Sequence, residues 1–95
     1  MSNNVLYIED NQDNMRLVKL ALEARGYKLL PAVTGLDGIS RAEKEDVDLI
    51  LLDLELADIN GYEVARRIRN SNVKKQLADT PIIAITANAL KGDAQ

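Results

Sequence analysis

The stretch "LILLDLEL", Leu49 to Leu56, is apolar except for Asp53 near its middle and Glu55 two places later. An unbroken aliphatic run of this kind reads as a strand covered on both faces, which is the mark of a parallel sheet. A carboxylate at the mouth of such a strand is held rigidly, its carbons packed and its oxygens presented to whatever lies at the rim.

The segments on either side repeat the pattern. "VLYIED", Val5 to Asp10, is a second buried strand that ends in acids, and "NQDNMRLVKLALEARG" follows it with Met15, Val18 and Leu22 at helical spacing. Asn11 or Asp13 can cap that helix and Gly26 can end it. "YKLLPAV" is a strand whose Pro31 lacks an N–H and belongs at a sheet edge. "TGLDGISRAEKE" reads as a helix capped by Thr34 and weakened by Gly35 and Gly38. After the Asn60-Gly61 turn signal, "YEVARRIRN" is a further helix with Val64 and Ile68 on one face, and "PIIAITA", Pro81 to Ala87, is the last strand.

Strand and helix alternate from end to end, which implies right-handed crossovers and a doubly wound parallel α/β sheet. In the flavodoxin-like version the strand order is 2-1-3-4-5, here expected as 2-1-3-4 with the usual fifth strand and last helix missing, and the chain reverses between the first and third strands, where ligands bind at the carboxyl ends. That order sends Pro31 to an edge. It brings Glu9 and Asp10 beside Asp53 on one rim and delivers Thr86 to the same side.

Carboxylates about 4 Å apart repel by about 4 kcal/mol at an effective dielectric near 20, so such a cluster needs a cation or a raised pKa. Oxygen ligands alone favour a hard divalent ion, Mg²⁺ before Ca²⁺ because few protein ligands leave room for water.

Composition narrows the chemistry. The chain has 95 residues, 46% hydrophobic and 28% charged, the balance of one soluble globular domain, and three Tyr supply all its aromatic content, so an aliphatic core is expected. Cys and His are both absent, which excludes disulfides, thiol chemistry, a Ser-His triad and a zinc site ligated by either residue. The net charge of -3 argues against nucleic acid or an anionic membrane as a partner, and "RRIR", Arg66 to Arg69, reads as a solvated helix face. No stretch approaches the roughly 20 apolar residues of a membrane span, and a cytoplasmic location is the default expectation.

"VLYIEDNQDNMRLV", "DLILLDLELADINGYEV" and "PIIAITANALKGDAQ" together resemble the three consecutive signatures of receiver domains of two-component response regulators. The resemblance runs in register over essentially the whole chain and implies one receiver domain over residues 1–95. It implies that Asp53 is the phosphoacceptor, taking a phosphoryl group from a phosphohistidine on a sensor histidine kinase or a histidine phosphotransfer protein, and signalling to a downstream protein target. It implies that Asp10, Asp53 and the backbone carbonyl of Glu55 hold Mg²⁺ with Glu9 assisting through water, that Thr86 binds a phosphoryl oxygen as the switch, and that Glu55 and Asn88 tune the lifetime of the phosphorylated state. Such a domain takes part in its own phosphorylation and does not turn over an external substrate.

The pattern breaks in two places. Ala57 stands where the family usually has proline, and family members continue past "KGDAQ" into a fifth strand bearing a phosphoryl-binding lysine and a last helix. Lys91 lies in the loop after the fourth strand and does not replace that lysine. The expectation is a receiver incomplete at its C-terminus, with the fourth strand as an apolar edge that invites a dimer and with part of a sheet face bare.

Three rival readings stand beside this one: a receiver-like interaction module that is not phosphorylated, an Mg²⁺-dependent phosphatase with an aspartate nucleophile, and a flavin-binding flavodoxin. The phosphatase pattern "DxDx[TV]" is not met by "DLELA", and "EDNQDN" would repel a flavin phosphate.

Overall fold

The strand expected from "LILLDLEL" runs over Leu49–Asp53 and is one of four parallel strands in the computed structural model, which describes residues 3–85. The elements follow as β1 (Asn4–Ile8), α1 (Gln12–Glu23), β2 (Lys28–Ala32), α2 (Gly35–Lys44), β3 (Leu49–Asp53), α3 (Gly61–Arg69), a 3₁₀ turn (Lys75–Ala78) and β4 (Ile82–Ile85). The sheet order is β2-β1-β3-β4, as the alternation and the flavodoxin-like topology require. Pro31 lies on β2, which is an edge strand, opposite Tyr7 of β1.

Local chemistry sets the helix ends. Asn11, Thr34 and Asn60 cap α1, α2 and α3, each side chain accepting the N–H three residues on: Asn14, Asp37 and Glu63. Past α1 the chain turns at Gly26, whose φ of +91° is the left-handed value that favours glycine, while the Tyr27 N–H reaches back to the Leu22 carbonyl. Asn60-Gly61, read from the sequence as a turn, is a cap followed by the first residue of α3.

Alternation along the strands separates two faces. Leu6, Ile8, Leu30, Ala32, Ile50 and Leu52 bury one face against Ala42 of α2, Val64 and Ile68 of α3, and Leu77. Here the core is aliphatic, as expected. α2 comes close enough to do this because Gly38 has no side chain: a Cβ there would lie 2.6 Å from Ile8 Cγ1. The glycine that weakens the helix in sequence terms is what lets the helix seat.

The opposite face carries Val5, Tyr7 and Leu29, all buried, and the core is not purely aliphatic, since Tyr7 is the largest fully buried side chain. Coverage thins toward β3 and β4: Leu51 is half-buried, and Ile83 is 49% exposed. On α1, Leu17 and Leu20 are likewise exposed, at 58% and 64%. Among the described residues, this sheet face is therefore covered less fully than the other.

The basic knot is only partly a solvated face. Arg66 and Arg67 grip Glu63, whereas Arg69 Nη1 donates to the carbonyls of Leu77 and Thr80 at 2.9 and 2.5 Å and ties α3 to the segment entering β4. No helix among the described residues is long and apolar enough to cross a membrane.

Candidate functional site

β1 and β3 pair directly, with Ile8 opposite Leu52, so the residues that follow β1 emerge beside the end of β3. Ladder bonding continues one step past β1, because the Glu9 N–H donates to the Ala32 carbonyl at 2.9 Å; Asp10 then turns out to solvent and Asn11 caps α1. The strand is shorter than "VLYIED" suggested for this reason. Glu9 and Asp53 are 1% and 2% exposed.

One carboxylate oxygen from each of Glu9, Asp10 and Asp53 lies within 4.8 Å of the others. Two full charges at 4.8 Å repel by about 3.5 kcal/mol at an effective dielectric near 20. Burial pushes the Glu9 carboxyl above its ordinary value; donors from Asn11 and Tyr7 pull it down, and the adjoining Asp53 pushes it further up. The Tyr7 phenol is itself driven up, first by burial and then by its hydrogen bond to Glu9.

The loop after β3 is held against these acids. Asp53 Oδ1 accepts the Glu55 N–H at 3.0 Å, and Asp10 Oδ2 accepts the Ala57 N–H at 3.1 Å. The Glu55 side chain is exposed. Gly61 closes the loop, its N–H bonded to the Leu54 carbonyl at 3.1 Å, and a Cβ on Gly61 would lie 2.6 Å from the Asp53 carbonyl oxygen. Only glycine lets α3 begin against the backbone of the site.

Asp58 ties the same loop to α2. Its two carboxylate oxygens accept the N–H groups of Gly35 and Leu36 at 2.8 and 2.9 Å. Desolvation is the largest single influence and raises the Asp58 carboxyl, but backbone donors, Gly35 and Leu36 first among them, together outweigh it and hold it below the usual range. Beside the acids a cavity of about 310 Å³ opens between α1 and the rim, lined by Glu9, Asp10, Gln12, Met15, Arg16, Lys19 and Val33.

Glu9, Asp10 and Asp53 are thus brought together, and Glu55 stands beside Asp53 through its backbone. Thr86 and Asn88 lie outside the described residues, as does Lys91. Sequence reasoning missed Tyr7 and Asp58. The signal for Tyr7 was its spacing of two from Glu9 on a strand, which puts both on one face; Asp58 gave none, because its partners are far away in the chain.

A parallel sheet in this order with three acids at its switch point is the arrangement of a receiver, and the family model described as the response regulator receiver domain matches residues 5–95. The chain belongs to that family. As a receiver it is a phosphoacceptor of two-component signalling and not an enzyme that turns over an external substrate. It is 36% identical over 95 residues to the polar-differentiation response regulator DivK of Brucella ovis, covering 100% of this chain and 75% of DivK.

Among solved structures, the receiver domain of the sensor histidine kinase PA1611 from Pseudomonas aeruginosa superposes with a TM-score of 0.83 at 34% identity, covering 98% of this chain and 74% of that one. That structure has a magnesium ion coordinated in its active-site cleft. A chain of the complex between histidine kinase ThkA and response regulator protein TrrA matches with a TM-score of 0.79 at 31% identity, covering 92% of this chain and 70% of that one.

Proposed function

We propose that this receiver unit, residues 1–95, accepts a phosphoryl group on Asp53 from a phosphohistidine of a sensor histidine kinase or histidine phosphotransfer protein, with a divalent cation, Mg²⁺ first, held by Asp10, Asp53 and the Glu55 carbonyl. The observation that carries the reading is the convergence of three carboxylates whose oxygens lie within 4.8 Å of one another at the switch point. All the donors are oxygens, which fits a hard cation. The magnesium ion reported for the PA1611 receiver and the kinase–regulator complex of ThkA and TrrA support both the cation and the class of partner.

The cation, when bound, neutralises the crowded acids and the charge of the incoming phosphoryl group. Everything else is supplied by the chain and its partner. Asp53 Oδ1 accepts the Glu55 N–H, which fixes the carboxylate for in-line attack on phosphorus. The O–P bond to the Asp53 carboxylate forms as the P–N bond to the partner's imidazole breaks, and the nitrogen leaves with the bonding electron pair. No His is needed on this chain because the donor ring arrives with the partner. Glu9, buried and held by one hydrogen bond on each oxygen, assists the cation through water.

Thr86 is the hydroxyl that follows the new phosphoryl oxygens, and Glu55 and Asn88 set how long the modification lasts. The added charge, roughly -1.5 to -2 for a phosphoryl group on a side chain, biases a mobile surface read by a downstream protein.

Incubation with a small-molecule phosphodonor and Mg²⁺ tests the assignment. Incorporation by the unaltered chain and none by Asp53→Asn is the expected result. Equal incorporation by both would remove Asp53 from the role, and none by either would favour the unphosphorylated interaction module.

The finer reading of partners is a second copy of this chain pairing along β4. Supporting it, β4 ends the sheet among the described residues and Ile83 is half exposed on it. A monomer in sedimentation at all accessible concentrations would dismiss it.

A further inference from the structure

We propose that Tyr7 is a positioning residue for the Glu9 carboxylate, and through it for divalent-cation binding at the rim; the inference rests on the cation reading above. Tyr7 lies on β1, an interior strand flanked by β2 and β3, and its side chain is wholly buried. A phenolic hydroxyl in that place must find a hydrogen-bond partner. Strand alternation supplies one, because residues two apart face the same way: Tyr7 Oη donates to Glu9 Oε1 at 2.9 Å.

The other carboxylate oxygen, Oε2, accepts the Asn11 N–H at 3.2 Å. Each oxygen thus has one donor, and the two together fix the plane of the group. The terminal torsion of a Glu side chain is otherwise broad. With the plane set, one Glu9 oxygen is kept within 4.8 Å of carboxylate oxygens of Asp10 and Asp53. Removing the phenolic O–H leaves the packed ring in place but frees the carboxylate to turn about the Asn11 bond, so the cation meets a disordered partner.

Outer partners that hold a metal site's geometry without touching the ion change affinity on the order of tenfold or more when removed. Magnesium affinity is measured by calorimetry on four forms of the chain: unaltered, Tyr7→Phe, Glu9→Gln and the double variant, with thermal unfolding as a check on the fold. The expected result is an affinity loss on the order of tenfold for Tyr7→Phe, and no further loss when the same change is made in the Glu9→Gln chain.

An unchanged affinity, or an equal loss in both backgrounds, overturns the positioning role while leaving the cation reading intact; absence of binding by the unaltered chain overturns both. A second measurement needs no variant. On titration with Mg²⁺ the ring resonances of Tyr7 shift while those of the exposed Tyr27 and Tyr62 stay, and a silent Tyr7 would also defeat the proposal.

Discussion

Glu9 and Glu63 are the same residue placed in opposite circumstances. Glu9 is buried at the rim with another carboxylate for a neighbour, and burial first, then Asp53, push its carboxyl up. Glu63 lies partly exposed on α3, where hydrogen bonds from Arg66 and Arg67 pull its carboxyl down to about 2. On α3 the chain supplies the countercharge three and four residues away. At the rim the groups that act on Glu9 are Tyr7, Asn11 and Asp53, two neutral donors and another acid. Among the described residues the three rim carboxylates have no cationic hydrogen-bond partner of the kind Glu63 has, which suits a countercharge brought by a bound divalent ion.

The contrast is sharpened most by Asp10→Asn. Binding to the folded state alone adds about 2.7 kcal/mol at a ligand concentration of a hundred times Kd, which for a domain of this size is about 10 °C or more in Tm. The unaltered chain should gain this in Mg²⁺ relative to EDTA. Asp10→Asn should lose most of the gain and melt higher than the unaltered chain in EDTA, because one of the repelling charges is gone while the amide oxygen still accepts the Ala57 N–H. A variant that melts lower in EDTA would break the idea that the acids strain the metal-free fold.

The same contrast shows what a sequence makes legible. Aliphatic runs announce strands, so β1, β3 and β4 and their order were readable, although β4 is only partly covered, and acids ending two such runs pointed to one rim. Boundaries were less so: "VLYIED" continues past β1 because Glu9 keeps a ladder bond after regular pairing has ended. Partnerships between distant side chains and backbone left no trace. Arg69, read as solvated, bonds two carbonyls near β4, and Gly38, read as a weakness in α2, is the gap that admits Ile8. Thr86 and Asn88 depend on residues beyond those described.

A smaller effect is expected at Asp58, a carboxylate that resembles Glu63 in being lowered but whose donors are backbone N–H groups from another element. Asp58→Ala leaves the Gly35 and Leu36 N–H groups at the start of α2 without their acceptor and should cost about 1 kcal/mol, within the range for lost helix caps. The pH dependence has a definite sign. A carboxyl lowered in the folded state contributes stability that is present above the ordinary Asp value, about 3.9, and is lost as pH falls through the lowered value. The gap between unaltered chain and variant in denaturant unfolding should therefore be full at neutral pH and close below about pH 4. A gap that stays constant with pH would mean that the loop packs on α2 without help from the charge.

Glu63→Gln should do least, although Glu63 carries the more pronounced lowering of the two. Its Arg66 and Arg67 partners are solvent-facing, with side chains 63% and 46% exposed, so water and salt replace much of what the pairs supply. The sign is the same as at Asp58: any contribution is present above the ordinary carboxylate value and lost as pH falls toward about 2. Melting of the two chains at neutral pH should differ slightly at low salt and converge as salt is raised. Mg²⁺ affinity should not change, since α3's ion cluster and the rim answer to different charges. A loss of Mg²⁺ affinity in Glu63→Gln would mean that the two carboxylates are coupled through α3 and the Gly61 contact with Asp53, and the separation between internally and externally neutralised acids would fail.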